Sequence, residues 1–205
     1  MMNCHFHNEN LIDKEEVKKF LSTHRDIELS AAKLIYSLHI YSGAQEVIAD
    51  YCNNNIKKTD EDLKIEKTIA EATEPNELLM LMRKSISQLN QRILRNKLMK
   101  YEEKMLLLIQ EKCLHNKNSM FIENALHFFL YSKENCCDWI IENYSEFHSE
   151  YLKSMFCLVL GFRGDVDMIP FLMEEAKRLE REYPMESYDQ GPVLAIQELT
   201  VRFFN

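Results

Sequence analysis

The sequence predicts an all-α protein that is built as a stack of antiparallel helix hairpins. Only 4 Gly and 4 Pro occur among 205 residues, which leaves few breaks for the many turns of an all-β fold. Apolar residues instead recur at helical spacing along most of the chain. The hydrophobic content of 46% and charged content of 28% are typical of a folded domain and too apolar for disorder.

The N-terminal half is predicted to begin with a loose arm over residues 1–12, which show no helical period. Asp13 is placed to cap the first helix, because a short acceptor side chain there can bind free N–H groups of the opening turn. Further helices are predicted over residues 26–42 and 44–51. The polar run at 53–60 is a possible subdomain break, but nothing in it resembles a flexible linker, so residues 13–205 are interpreted as one helical domain.

In the middle of the chain, one helix is predicted to begin at Thr59 or Asp60, either of which can act as its cap, and another at Pro75. Proline is tolerated in the first turn of a helix and not in its interior, so Pro75 marks a helix start. No breaker is evident between there and Asn116. The sequence leaves open whether residues 75–115 form one long helix or two helices joined near Lys100.

The C-terminal half shows the clearest helical pattern. Its predicted helices cover residues 119–131, 135–146, 149–161, 167–183 and 190–204. When residues 122–130 are set against 152–160, their apolar positions coincide at a period of 30 residues. A period between 20 and 50 residues indicates stacked repeats, each of which buries its apolar face against its neighbours. The N-terminal half is expected to be less regular.

One corner of this half carries a family resemblance. Residues 160–165 read Leu-Gly-Phe-Arg-Gly-Asp, and residues 169–172 read Ile-Pro-Phe-Leu. This pattern resembles the HEAT-like repeat family, in particular its bacterial short-repeat branch, and it is best over residues 149–180. Gly161 and Gly164 are expected to have a structural role in the tight corner between the two helices. The preceding repeat departs from the pattern, since Glu123 replaces the usual basic residue.

The resemblance implies a short α-solenoid and, for most members of the family, a non-catalytic scaffold that binds another protein. The groove would be lined by exposed positions of residues 119–131, 149–161 and 190–204. The net charge of −8 favours a basic partner, and an immunity- or regulator-type binder is the more specific form of this prediction. The sequence gives no cofactor motif and leaves the oligomeric state open.

A first alternative is a nucleic-acid enzyme of the HEAT-like DNA glycosylase type, which holds a damaged base on a concave face. Such an enzyme needs a basic groove with an aromatic residue and a carboxylate in it, for which Trp139 and Asp138 are available. The acidic net charge disfavours nucleic acid as a partner. The second alternative is a metal-binding regulator, which would use Cys4, His5 and His7 in the N-terminal arm.

The candidate recognition residues are Arg163 in the Gly-bearing corner and Tyr183, Tyr188, Asp189 and Gln190 between the last two helices. Their loop carries two prolines and one glycine, and a stiff loop that presents tyrosines is a good recognition surface. The alternative is a capping loop that packs its tyrosines over the end of the helix stack. The alternative for Arg163 is an internal ion pair with Asp165 or Glu186.

The cysteines predict a reducing environment. None of the six forms a Cys-x-x-Cys pair, and their spacing is irregular. Cys136 and Cys137 invite a nucleophile hypothesis near a helix start, but one packed thiol and one semi-exposed thiol are the favoured interpretation. Since no signal peptide and no membrane-spanning apolar run is visible, the expected location is the cytoplasm.

Overall fold

The computed structural model describes residues 12–24 and 57–204, and in these two ranges all regular structure is helical. The all-α prediction is therefore confirmed for the described part of the chain. The helices are α1 (Lys14–Thr23), α2 (Asp60–Glu71), α3 (Pro75–Leu81), α4 (Gln88–Leu98), α5 (Glu102–Cys113), α6 (Ser119–Tyr131), α7 (Cys137–Glu142), α8 (Glu150–Arg163), α9 (Ile169–Glu182) and α10 (Gln190–Phe204). The helices predicted at 26–42 and 44–51 lie outside the described residues.

The helix starts follow the predicted caps. The Asp13 carboxylate accepts hydrogen bonds from the backbone N–H groups of Glu15 and Glu16 at 2.9 and 3.3 Å, which satisfies free donors of α1. Thr59 caps α2 in a reciprocal capping box with Asp62. Pro75 stands in the first turn of α3, as predicted.

Residues 75–115 form neither one helix nor two, but the three helices α3, α4 and α5. The break near Lys100 is a short 3₁₀ turn, where the sequence suggested a junction. The break over residues 82–87 is not predicted. It is stabilised at both ends, because the Asn124 side-chain amide donates to the Met82 carbonyl at 3.0 Å and the Ser87 hydroxyl caps α4.

The C-terminal helices lie close to their predicted ranges. The predicted segment 135–146 divides into α7 and a 3₁₀ turn over Tyr144–Glu146, and the segment 167–183 begins with a 3₁₀ turn over Val166–Met168. Pro170 lies in the first turn of α9. The helical spacing of apolar residues is sufficient to predict these ranges, and α6 and α8 also have polar N-caps, Asn118 and Ser149.

The even-numbered helices pack against one another in order, from α2 to α4, α6, α8 and α10. The odd-numbered helices α3, α5, α7 and α9 each pack against the even-numbered helix that follows, and α1 packs against α10. Helices α6 and α8 are buried on nearly every side, which fits their high apolar content. Within the described residues no helix is both long and apolar enough to span a bilayer.

Neighbouring even-numbered helices run in the same direction, which side-chain bonds at both ends make clear. Asn90 donates to the Asp62 carbonyl at 3.0 Å near the starts of α4 and α2, and Lys97 donates to the Ala70 carbonyl at 2.9 Å near their ends. Arg202 near the end of α10 likewise donates to the Gly161 carbonyl near the end of α8 at 2.9 Å. Basic side chains thus bind the last carbonyls of the helix before, as the helix dipole favours.

Helices α8 and α10 approach closely at two glycines. A Cβ atom on Gly161 would collide with the backbone of Ala195, and one on Gly191 would collide with the Ser154 carbonyl. Gly161 therefore serves the contact between two helices and not the corner, contrary to the prediction. Gly164 does lie in the corner as the C-cap of α8, but with an extended backbone (φ −80°) that is not left-handed.

Candidate partner-binding surface

Arg163 is half-buried and holds the end of α6. Its Nη1 donates to the carbonyl of Phe129 at 2.6 Å and to the carbonyl of Ser132. The guanidinium therefore satisfies carbonyls at a helix C-terminus and does not pair with Asp165 or Glu186. Of the two roles that the sequence allowed for Arg163, the structure places it in an internal one, although with backbone carbonyls instead of a carboxylate.

The loop after α9 is braced by its two tyrosines. The rings of Tyr183 and Tyr188 meet edge to face with centroids 5.7 Å apart, and both residues are half-buried. The Glu186 N–H donates to the Tyr183 carbonyl at 2.9 Å, which closes the turn between them. Met185 at the tip is 94% exposed. The loop thus combines a fixed aromatic base with a projecting tip.

Asp189 and Gln190 connect this loop to α10. The Asp189 carbonyl accepts from the Val193 N–H at 3.2 Å, and Gln190 is the first residue of the helix. Burial raises the pKa of the Asp189 carboxyl, and the nearby Glu180 raises it further, while His24 acts in the opposite direction. Both residues are half-buried, so their side chains remain accessible beside the tyrosines.

Tyr151 and Glu123 lie on the helices and extend the surface that the two loop tyrosines form. The Tyr151 hydroxyl donates to the Glu123 carboxylate at 3.1 Å, which links α8 to α6. Burial raises the pKa of Tyr151, as do the charges of Glu123 and Tyr188, which shows that Tyr188 lies nearby. Burial also raises the pKa of Glu123. The sequence did not indicate Tyr151, and Glu123 was noted only as a departure from the repeat pattern that the chain resembles.

The surface continues along α6 to α4. Tyr131 lies two helical turns beyond Glu123, and the Arg95 guanidinium carbon lies 4.1 Å from the centroid of the Tyr131 ring. Burial lowers the pKa of Arg95 and raises the pKa of Tyr131. We call the following six residues the tyrosine strip: Arg95, Glu123, Tyr131, Tyr151, Tyr183 and Tyr188. The strip crosses the three even-numbered helices α4, α6 and α8 and ends at the loop.

A second polar cluster has a buried centre and connects α8 to α9. The buried Tyr144 hydroxyl donates to the Glu175 carboxylate at 2.8 Å and lies 3.4 Å from the Cys157 sulfur. Arg178 binds Glu175 and also Glu150, so it links α9 to α8. Burial raises the pKa of both the Tyr144 phenol and the Cys157 thiol, which makes either group a poor nucleophile at neutral pH.

Both adjacent cysteines are packed, so the prediction is correct for one thiol and wrong for the other, which was expected to be semi-exposed. Cys136 and Cys137 are each only 2% exposed, and burial raises their pKa values to about 11 and about 12, against the opposing effect of Arg163. Trp139 stacks on Phe129 with centroids 5.7 Å apart and also contacts Phe147 and Phe156. Its ring therefore belongs to the core and is not presented to a nucleic-acid base.

A shallow cavity of ≈ 400 Å³ lies on another part of the surface, lined by Met99–Lys104 with Lys133 and Glu134. Its Glu102 already accepts from the Ser132 hydroxyl at 2.7 Å and from the Lys133 N–H. Three lysines and three glutamates line the opening, so the cavity favours neither sign of charge.

The metal ligands proposed for the N-terminal arm, Cys4, His5 and His7, lie outside the described residues. Across residues 12–24 and 57–204, no group of three or more His, Cys, Asp or Glu side chains is arranged to hold a metal ion.

No protein-family model matches the chain, and no curated protein or solved structure is significantly similar to it. The tyrosine strip is therefore interpreted from the chemistry and geometry of its own side chains.

Proposed function

We propose that this chain is a non-catalytic protein-binding module that recognises a basic partner protein through the tyrosine strip. The observation that carries the proposal is the continuity of the strip. The Tyr151–Glu123 hydrogen bond joins α8 to α6, and the contact of Arg95 with the Tyr131 ring joins α6 to α4. Tyr188, which contacts Tyr183 within the loop, lies near Tyr151. Tyrosine and arginine dominate the energetically important positions of protein interfaces, because they bury a large apolar area and also form hydrogen bonds.

A short HEAT-like α-solenoid is the architecture that we propose for this surface. The ordered contacts of α2, α4, α6, α8 and α10 support it, as do their shared direction and their polar N-caps. The caps of the first four stand at 59, 87, 118 and 149, that is, 28, 31 and 31 residues apart. This spacing lies close to the period of 30 that the sequence predicts. A stack of this kind offers an extended face in place of a deep pocket.

The charge of the strip supports a basic partner. Glu186 and Glu150 raise the pKa of Tyr188 after burial does, and Glu123 raises that of Tyr151. An approaching Lys or Arg would relieve this accumulation of negative charge, and it could also stack on the tyrosine rings. A binder that neutralises a basic target, as immunity proteins do, is the specific form of the proposal.

The absence of catalysis is part of the same proposal. The most chemically suggestive groups, Tyr144, Cys157 and the pair Cys136 and Cys137, are buried, and their pKa values are raised. A buried phenol or thiol with a raised pKa keeps its proton at neutral pH, so these groups are suited to packing in the core and not to acting as a nucleophile or a general acid. We also propose a cytoplasmic location, which suits Cys113, Cys136, Cys137 and Cys157 as free thiols.

Affinity capture from the native cell followed by mass spectrometry tests the proposal. The baits are the full-length chain, a Tyr151→Ala/Tyr188→Ala variant, and a Met80→Ala/Leu107→Ala variant. The control removes two side chains that are 63% and 68% exposed on α3 and α5, away from the strip. We expect a basic protein that the wild type and the control retain and the strip variant loses.

Two outcomes would contradict the proposal. Equal capture of the same proteins by all three baits would show that the strip does not bind them. Retention of the wild-type protein on heparin at physiological salt, with nucleic acid as the captured material, would favour the nucleic-acid alternative instead. Circular dichroism of each bait confirms that a loss of capture does not reflect unfolding.

A further inference from the structure

His115 and His148 bring two imidazole rings together on the surface, far apart in the sequence and outside the tyrosine strip. Their ring centroids lie 4.7 Å apart with an angle of 60° between the planes, and both residues are exposed. His115 follows the end of α5, and His148 immediately precedes the N-cap of α8. The His148 N–H donates to the Leu114 carbonyl at 3.2 Å, so the backbone itself holds the two residues side by side.

The chemistry of the pair suits a metal ion. Within the described part of the chain, no hydrogen bond engages a ring nitrogen of either histidine, in contrast to His24, whose Nδ1 lies 2.8 Å from the Phe20 carbonyl. A neutral imidazole presents one nitrogen lone pair, and two such rings on adjoining backbone segments can bind one ion together. The negative end of the α5 dipole adjoins His115 and favours a cation at this position.

We propose that His115 and His148 form a two-imidazole site for a divalent transition-metal ion such as Cu²⁺, Ni²⁺ or Zn²⁺. Imidazole nitrogen is a good ligand for these ions, and Mg²⁺ and Ca²⁺, which need oxygen ligands, would not bind. The two side chains are exposed, so small rotations about their side-chain torsions can bring one nitrogen of each ring to the ion. Water completes the coordination, or a donor atom from a bound partner does so.

The site is independent of the protein-binding proposal and of the N-terminal arm with Cys4, His5 and His7. Two ligands make it weaker than a structural zinc site, which commonly has four. Its open coordination positions nevertheless make it suited to ligand exchange. A donor atom of a partner can displace a bound water without breaking a bond between the metal and this chain.

Isothermal titration with Ni²⁺ at pH 7.5 tests the proposal on the full-length protein. The background variant carries Cys4→Ser, His5→Gln and His7→Gln, which removes the arm as a competing ligand. We expect one Ni²⁺ per chain in this background, a fall in affinity of about tenfold or more for His115→Gln or His148→Gln alone, and no binding for the double variant. His24→Gln is the matched control and should leave the affinity unchanged.

A second measurement separates coordination from nonspecific attraction by an acidic surface. Mg²⁺ or Ca²⁺ at the same concentration should give no binding at this pair, because these ions need oxygen ligands, whereas an acidic surface would attract them as well as Ni²⁺. Ni²⁺ should also broaden the ring signals of His115 and His148 selectively in heteronuclear NMR spectra. The proposal is overturned if the double variant binds Ni²⁺ within twofold of its background, or if the background itself binds none.

Discussion

The hydroxyl of Tyr151 lies 3.1 Å from the carboxylate of Glu123, on the next even-numbered helix of the stack. This bond holds the centre of the tyrosine strip in one arrangement, and it keeps a half-buried acid in contact with a donor. A preformed surface loses less conformational freedom on binding than a mobile one, so the bond would favour the proposed recognition as well as stability.

Glu123→Gln should stabilise the protein more at pH 7 than at pH 4. Burial raises the pKa of Glu123, so the folded protein holds the carboxyl proton more tightly than the unfolded chain does. That contribution to stability is fully present below the unfolded pKa and is lost as the pH rises through the folded pKa. Gln keeps an acceptor for Tyr151 and removes the charge. Urea denaturation at both pH values should show a difference below about 1 kcal/mol, as for other half-exposed charges.

The control for this experiment is Glu103→Gln, which removes an exposed carboxylate on α5. The prediction fails if Glu123→Gln loses stability at pH 7, or if its effect is larger at pH 4.

Gly161→Ala should destabilise the protein by roughly 1–3 kcal/mol, the range observed when an extra methyl group is forced into a packed contact. Helix propensity alone predicts the opposite sign, since replacing Gly with Ala inside a helix stabilises it by roughly 0.5–1 kcal/mol. The new Cβ would collide with the backbone of Ala195, which cannot rotate away as a side chain can. Thermal and urea denaturation therefore decide between the two effects by sign, and a gain in stability would show that α8 and α10 can move apart.

Arg178→Met should destabilise the protein far more than Arg181→Met, although both lie on α9. Arg178 binds Glu175, a carboxylate whose side chain is only 6% exposed. Removal of the guanidinium leaves that charge buried and unpaired, at a cost of about 3–5 kcal/mol. Arg181 is 71% exposed and pairs with Glu182, so its loss should change stability by no more than about 1 kcal/mol. Equal effects in urea denaturation would show that Glu175 finds another partner or water.

Cys136 and Cys137 should resist alkylation in the folded protein. Their thiol pKa values are raised to about 11 and about 12, so very little of either is thiolate at pH 7.5. Iodoacetamide labelling followed by peptide mass spectrometry should modify both residues rapidly in urea and only slowly in native buffer. Rapid native labelling of either residue would restore the nucleophile hypothesis.

The sequence predicts the local features of this fold and misses those that depend on distant residues. Asp13, Thr59 and Pro75 identify helix starts because each acts within its own first turn. The break after Met82 could not be predicted, since its carbonyl is bound by Asn124, 42 residues further along the chain. The candidate site divides in the same way. The loop at 183–190 is visible from its composition, whereas its link to Glu123 through Tyr151 requires two helices to pack side by side.

Arg163 allows a structural role to be separated from recognition. Its guanidinium binds the Phe129 and Ser132 carbonyls, so Arg163→Met leaves the end of α6 without these donors. We expect a loss of about 1–3 kcal/mol, the usual effect of leaving a partly buried polar group unpaired. Capture of the partner by the folded variant should match that of the wild type, because the guanidinium points inward to carbonyls and not toward a ligand. Lys97→Met is the matched control, because Lys97 also binds a carbonyl near the end of a helix, that of Ala70 in α2. This hydrogen bond is exposed, so its loss should reduce stability less. If Arg163→Met remains as stable as the wild type and fails to capture the partner, Arg163 belongs to the recognition surface and the strip must be extended to include it.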